Sequence, residues 1–224
     1  MLQFYTTSDG SHTLLNTDLN ETYHSRHGAI QESQHVFIKN GLNVATAESH
    51  GKGLHLLEVG FGTGLNALLT LMQTQMPIMY TAIEPFPLDL SIIQELNYTA
   101  LLRCDGHLTG IFHKLHTAPC DQPDNITPLF ALHKIRSALQ GTSLSPASVD
   151  LLYYDAFAPG KQPEMWEFQT LQLLERAMKP GGYLVTYCAK GQLKRDLKML
   201  GFVVETLPGP PGKAEMVRAK KCDR

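Results

Sequence analysis

The chain has 224 residues, 43% of them hydrophobic and 18% charged, with a formal net charge of −2. That length and balance suit one large globular domain and exclude extended disorder. No run approaches the ~18 consecutive apolar residues of a membrane span, and the first ten residues lack the basic and apolar regions of a secretory signal, so a cytoplasmic protein is expected. Cys104, Cys120, Cys188 and Cys222 form neither CxxC pairs nor a framework spacing and read as reduced thiols. Charge is uneven. Residues 179–224 hold seven Lys and three Arg against two Asp and two Glu, a net of +6, which leaves −8 on residues 1–178. A basic end suits a polyanionic partner and, equally, a solvated helix and strand.

Residues 1–50 are polar, with helix-like stretches and one apolar run, His35-Val36-Phe37-Ile38. They read as an extension packed on a domain that begins at residue 51. Residues 54–59 read as a buried strand running into Gly60-Phe61-Gly62-Thr63-Gly64, and 65–72 as a helix closed before Pro77. Residues 79–84 form a second strand, stopped by Pro85. This βαβ unit calls for a parallel sheet and a right-handed crossover. Residues 88–102 look helical, and the His- and Pro-rich part after them completes an insertion over about 88–125. A third strand is expected over 126–132 and a short helix over 134–140. Residues 149–155 are a strand ending on an acid. Trp166, Leu171, Leu174 and Met178 have helical spacing. Lys179-Pro180-Gly181-Gly182 reads as a turn, 183–188 as a strand, 192–200 as a helix, 202–207 and 215–219 as strands. Strands alternating with helices predict an open, mostly parallel, doubly wound α/β sheet with an antiparallel C-terminal strand.

The glycine loop between strand and helix lets the backbone approach a ligand closely, and the helix start offers free N–H groups. An adenosine-containing cofactor is the natural occupant. Gly62-Thr63-Gly64-Leu65-Asn66-Ala67 fits a dinucleotide G-x-G-x-x-A pattern, with Glu84 about 20 residues on as the ribose acid. Glu58-Val59-Gly60-Phe61-Gly62-Thr63-Gly64 equally fits the E-x-G-x-G-x-G loop of an S-adenosylmethionine site, with Glu84 again holding the ribose. Glu58 could brace the loop or approach the methionine amino group, and Asn66 could cap the helix or touch the cofactor. The second half favours methionine chemistry. An acid at Asp155, a helix, Lys179-Pro180-Gly181-Gly182 and an antiparallel end resemble the Rossmann-like class I S-adenosylmethionine-dependent methyltransferases. A nicotinamide enzyme would continue with another βαβ half.

The run from Glu58 to Asn66, Glu84-Pro85-Phe86-Pro87-Leu88, and Asp155-Ala156-Phe157-Ala158-Pro159-Gly160-Lys161-Gln162-Pro163-Glu164-Met165-Trp166 resemble one family. It is the methyltransferase domain of the bifunctional tRNA 5-methylaminomethyl-2-thiouridine biosynthesis proteins, the MnmC type. Lys179-Pro180-Gly181-Gly182, Lys194-Arg195, Gly201-Phe202 and Gly212-Lys213-Ala214-Glu215-Met216 continue the likeness, as do Tyr23-His24-Ser25, Glu32 and Val36-Phe37. The resemblance spans about residues 20–218. It implies methyl transfer from S-adenosylmethionine to the primary amine of 5-aminomethyl-2-thiouridine at the tRNA wobble position. It also implies that an FAD-dependent activity makes that amine, here expected on a separate chain because no second dinucleotide loop follows. Two positions depart from the family. Leu132-His133-Lys134-Ile135 lacks the acid that contacts adenine, and Ala214 stands where Arg is common.

A sulfonium is already activated, so the protein supplies proximity and a neutral amine. Asp155, at a strand tip, can orient the amine and accept its proton, or cap the following turn. Tyr23 and Phe157 could stack on a splayed base, whereas Trp166, Tyr153 and Tyr154 read as core. Lys190, Lys194, Arg195 and Lys213 could grip tRNA phosphates or form a solvated face. Cys104, His107, His113, His116 and Cys120 lack paired zinc spacing, so no metal is expected. A small-amine methyltransferase, a nicotinamide oxidoreductase and an RNA-binding module with a decayed cofactor site are the other readings.

Overall fold

The computed structural model of the protein describes residues 1–222. Its main sheet has eight strands. β4 (Leu54–Val59), β5 (Ile78–Ile83), β7 (Phe130–Ile135), β8 (Val149–Tyr154) and β9 (Met178–Thr186) are parallel. β10 (Phe202–Pro208) and β11 (Glu215–Lys221) close one edge antiparallel, and β6 (Pro123–Thr127) pairs antiparallel with β7 at the other. The order is β10-β11-β9-β8-β4-β5-β7-β6. The strand order reverses between β4 and β8, so their C-terminal tips flank a crevice.

Alternation along the strands separates two apolar layers. Leu56, Tyr80, Leu132, Leu151 and Val185 face the helices α3 (Leu65–Gln73) and α6 (Gly106–Thr117), together with Val36, Phe37 and Leu42. Leu57, Ile83, Leu152, Tyr154 and Leu184 face α7 (Phe168–Ala177) and α8 (Gly191–Met199). Trp166 belongs to this second layer and donates its indole N–H to the Phe157 carbonyl at 2.8 Å. Tyr153 and Tyr154 are fully buried, one in each layer.

The structure departs from the sequence expectation in five places. Residues 1–22 form a three-stranded sheet of β1 (Leu2–Thr6), β2 (His12–Asn16) and β3 (Glu21–Thr22). β1 is largely exposed, with Phe4 and Tyr5 facing outward rather than into a core. Next come α1 (Ala29–Ser33), a π-helical stretch Gln34–Leu42 and α2 (Asn43–Glu48), where the apolar run is buried. Over 88–102 there are two short helices, α4 (Leu90–Gln94) and α5 (Tyr98–Leu101), separated at Asn97. The Asn97 side chain accepts from the His12 backbone N–H at 2.8 Å and donates to the Gly10 carbonyl at 2.9 Å. The His-rich part of the expected insertion is the regular helix α6. Asp105 caps it by accepting from the Leu108 N–H at 2.8 Å, and Ile111, Phe112 and Leu115 point inward. The expected third strand is a hairpin, β6–β7, turning at Pro128-Leu129, and Lys134 and Ile135 end β7 rather than start a helix. The Lys179–Gly182 turn lies inside β9 as an irregularity of its pairing with β8. Among the described residues no helix is long and apolar enough to cross a membrane.

The N-terminal segment is tied to the far end of the sheet. Lys213 pairs with Glu32, His35 Nε2 lies 2.8 Å from the Pro208 carbonyl, and a Cβ on Gly212 would overlap the His27 ring. Gly212 has φ +84°. The Gly212→Ala variant is expected to lose about 1–2 kcal/mol from the left-handed backbone alone, read as a lowered midpoint in urea unfolding.

Candidate active site

A cavity of about 1040 Å³ opens at the C-terminal tips of β4, β5 and β8 and is roofed by the N-terminal sheet. Its wall includes Gly60, Phe61, Gly62, Thr63, Asn66, Glu84, Asp155, Phe157, Tyr23 and Lys213. The ladder runs directly into these residues: Gly60 N–H donates to the Ile83 carbonyl at 3.0 Å and Asp155 N–H to the Val59 carbonyl at 3.1 Å. At Gly60, φ is +92° and a Cβ would stand 2.8 Å from the Asp155 carbonyl oxygen, so only glycine lets the loop lie against β8.

Three carboxylates converge here. Glu84 accepts from Gly62 N–H with one oxygen and from Phe86 N–H with the other, both at 2.9 Å. It thus ties the glycine loop to its own turn while facing the cavity, and burial raises its carboxyl above the ordinary range. Glu58 is fully buried and does not line the cavity. Its oxygens accept from Asn66 Nδ2 at 2.9 Å and from the Tyr80 hydroxyl at 2.8 Å, and burial pushes its carboxyl well up. Asp155 accepts from the same Asn66 Nδ2 at 2.9 Å. Burial, with Glu32 nearby, pushes Asp155 up to about 7 against the opposing pull of Asn66 and Lys213. Asn66 therefore makes no helix cap. The cap position is Gly64, which has no side chain and stays out of the cavity wall.

The loop is braced by side chains the sequence reading left unassigned. Tyr98 donates to Thr63 Oγ1 at 3.2 Å, and His116 Nε2 donates to the Thr63 carbonyl at 3.1 Å. Phe61 sits edge-on to His116 with ring centroids 5.3 Å apart. Burial and Lys134 hold the His116 imidazole at about 3, so it is neutral at pH 7. Among the described residues no three of His, Cys, Asp or Glu converge in a metal-binding arrangement. Lys134, in the stretch that lacks the adenine acid, is buried and donates to the His116 carbonyl near the C-terminal end of α6. A lysine there complements the helix dipole.

The remaining candidates divide. Tyr23 and Phe157 meet edge to face at 5.1 Å in the wall, and burial with Glu84 raises the Tyr23 phenol to about 12. Lys213 turns into the wall, pairs with buried Glu32 and lies 3.8 Å from the centre of the Tyr187 ring. Lys190, Lys194 and Arg195 do not line the cavity. They sit at the start of α8, at the sheet end that carries the crevice. Lys194 pairs with Glu215 at 2.8 Å, Arg195 bonds Gln192 at 2.7 Å, and Lys190 is exposed.

A family model described as S-adenosyl-L-methionine-dependent methyltransferase matches residues 123–222. A tRNA 5-methylaminomethyl-2-thiouridine biosynthesis bifunctional protein MnmC from Methylibium petroleiphilum is 32% identical over 92% of this chain and 33% of its own length. One of the same name from Magnetococcus marinus is 31% identical over 88% of this chain and 30% of its own length. The chain carries an MnmC-type, S-adenosyl-L-methionine-dependent methyltransferase domain. It spans about a third of the length of these relatives. The crystal structure of MnmC2 from Aquifex aeolicus shares the methyltransferase fold with a TM-score of 0.78 at 23% identity, covering 98% of this chain and 70% of that one. Magnesium protoporphyrin IX methyltransferase from Synechocystis, solved with bound S-adenosylmethionine, shares the fold more distantly at a TM-score of 0.52 and 10% identity, covering 86% of this chain and 81% of that one.

The residues present fit the cofactor of a methyltransferase. The cavity wall presents Glu84, Asp155 and Glu32, whose acceptors suit ribose hydroxyls and a cationic sulfonium, and the glycine loop packs too closely on β8 for any side chain at Gly60. The Gly60→Ala methyltransferase is expected to be at least about 2 kcal/mol less stable and to bind S-adenosylhomocysteine at least tenfold more weakly. Denaturant unfolding and titration calorimetry check the two effects.

Proposed function

We propose that this methyltransferase transfers one methyl group to the primary amine of 5-aminomethyl-(2-thio)uridine at the wobble position of tRNA, in the cytoplasm. The observation that carries the reading is Asp155. Its carboxylate stands at the tip of β8 in the cavity wall, one oxygen held by Asn66, beside the aromatic pair of Tyr23 and Phe157. A primary amine is largely protonated at neutral pH and has no lone pair until it loses that proton. A carboxylate titrating near 7 is matched to removing it. Bound S-adenosylmethionine supplies the electrophilic methyl. The nitrogen–carbon bond forms as the carbon–sulfur bond breaks, and Asp155 orients the amine and takes its surplus proton. The cavity is roomy enough for a base beside the cofactor, and Tyr23 and Phe157 give it an aromatic wall. Glycine-loop contacts through Gly60, Phe61, Gly62, Thr63 and Glu84 hold the cofactor, while Glu58 acts from behind the loop.

Lys190 and Arg195 form no salt bridge among the described residues and suit phosphate contacts outside the cavity. Lys213 and Lys194 already hold carboxylates, Lys213 within the cavity wall and Lys194 outside it. Arg26, exposed at the rim and 5.2 Å from the centre of the Tyr5 ring, joins the phosphate-facing set.

Incubation with labelled S-adenosylmethionine and tRNA carrying the 5-aminomethyl group should add one methyl to that nucleoside, read by mass spectrometry after digestion. Transfer to the free nucleoside but not to tRNA would replace this reading with a small-amine activity. The rate at limiting substrate should rise with pH and level off above about 7, because only the ionised Asp155 accepts the proton. Asp155→Asn should lower kcat by about 10²–10⁴ at unchanged S-adenosylhomocysteine affinity. Charge reversal at Lys190 and Arg195 should raise the KM for tRNA about tenfold and flatten its salt dependence, with cofactor affinity unchanged.

A further inference from the structure

We propose that Asn66 is the positioning residue of the transfer site, its amide NH2 clamping Asp155 to the buried Glu58 so that one fixed carboxylate oxygen faces the substrate amine. The proposal rests on the reading of Asp155 as proton acceptor. Both Asn66 hydrogens are spent on carboxylates, one to Glu58 Oε1 and one to Asp155 Oδ2, each at 2.9 Å. The second Glu58 oxygen is held by the Tyr80 hydroxyl, so the anchor cannot swing. Asp155 Oδ2 is thereby occupied, and Oδ1 remains to meet an N–H in the cavity.

The other end of the amide shows what this arrangement is for. Asn66 is buried, and its carbonyl oxygen has no hydrogen-bond partner among the described residues. A buried acceptor without a donor is a net cost to folding, and such groups persist where function holds them. Rotating the amide would take its NH2 away from the two carboxyl acceptors it now serves, which favours the observed orientation. A leucine of similar shape would remove the orphaned oxygen but would also strip the shared donor from two buried carboxylates, so the clamp is read from activity rather than from stability. Position in the chain explains how one side chain reaches both acids. Asn66 lies in the first turn of α3, directly above the β4 and β8 tips that carry Glu58 and Asp155.

The test is Asn66→Leu beside Asp155→Asn and the double variant, on the full chain with 5-aminomethyl tRNA. Asn66→Leu should lower Tm, because Glu58 Oε1 and Asp155 Oδ2 lose their donor, bind S-adenosylhomocysteine within about threefold of wild type, and lose at least about thirtyfold in kcat with little change in the KM for tRNA. The pH midpoint of kcat/KM should move upward, because the amide donor that favours the Asp155 anion is gone. The other groups facing Asp155 are unchanged in that variant: Glu58 on β4, Tyr80 on β5, Glu32 on α1, Lys213 before β11 and Tyr187 after β9. The double variant should be no slower than Asp155→Asn, because the two residues act as one unit. Asn66→Leu with normal kcat and midpoint, while Asp155→Asn is inactive, overturns the clamp and leaves the Asp155 reading standing. Active Asp155→Asn overturns that reading and the clamp with it. Should Asn66→Leu fail to bind S-adenosylhomocysteine, Asn66→Ser decides by the same kcat and midpoint criteria, and wild-type values there overturn the clamp.

Discussion

Parallel strands place equivalent positions side by side, and here that rule gathers acids. Glu84 follows β5 and Asp155 follows β8, so both face one crevice, with Glu58 buried behind it near the tip of β4. Like charges this close in a dry site cannot all remain ionised without donors. The structure supplies them in different kinds. Glu84 takes two backbone N–H groups, Glu58 takes a phenol and an amide, and Asp155 takes the remaining hydrogen of that amide. The differences in donor and burial separate the three roles. Glu84 ties the loop, Glu58 anchors, and Asp155, with an oxygen free toward the cavity, is poised near neutrality.

The glycine loop depends on this arrangement and on a brace behind it. Thr63 is gripped from α5 and α6 by Tyr98 and His116, and Lys134 in turn holds the His116 carbonyl. A lysine in the stretch where the family carries an adenine-contacting acid therefore works beneath the loop. It supports the helix that supports the loop. The N-terminal segment completes the wall from the opposite side through Tyr23, Glu32 and the Lys213 pair, so the cavity is assembled from both ends of the chain.

Much of the parallel core was readable in the residues. The run from Leu54 to Gln73 combines a strand-length apolar stretch, a glycine turn and a helical period, and each of those signals is local. The antiparallel end was readable for the same reason, since Phe202–Pro208 and Glu215–Lys221 are joined by a short Pro- and Gly-rich turn. What was unreadable was structure stabilised from outside. β1 is largely exposed, its Phe4 and Tyr5 included, and gains its order from pairing with β2. The break at Asn97 is set by the backbone of a hairpin more than 80 residues away. In α6 the histidines masked a helix whose three inward apolar residues are few but well placed.

By itself the sequence determined the α/β class, the mostly parallel sheet with its antiparallel C-terminal end, and the residue types at and behind the crevice: Gly60, Glu58, Glu84 and Asp155. Those follow from short-range patterns, because a turn that excludes side chains and a strand that ends on an acid are written in consecutive residues. Only the tertiary structure decided what each residue touches. Glu58 turned out to be an anchor outside the cavity, Asn66 a bridge between two acids, and Lys213 a partner of Glu32. A side chain's partner depends on which strand tips the sheet order brings together and on which loop folds over them. That information is spread across the whole chain, and no local stretch contains it.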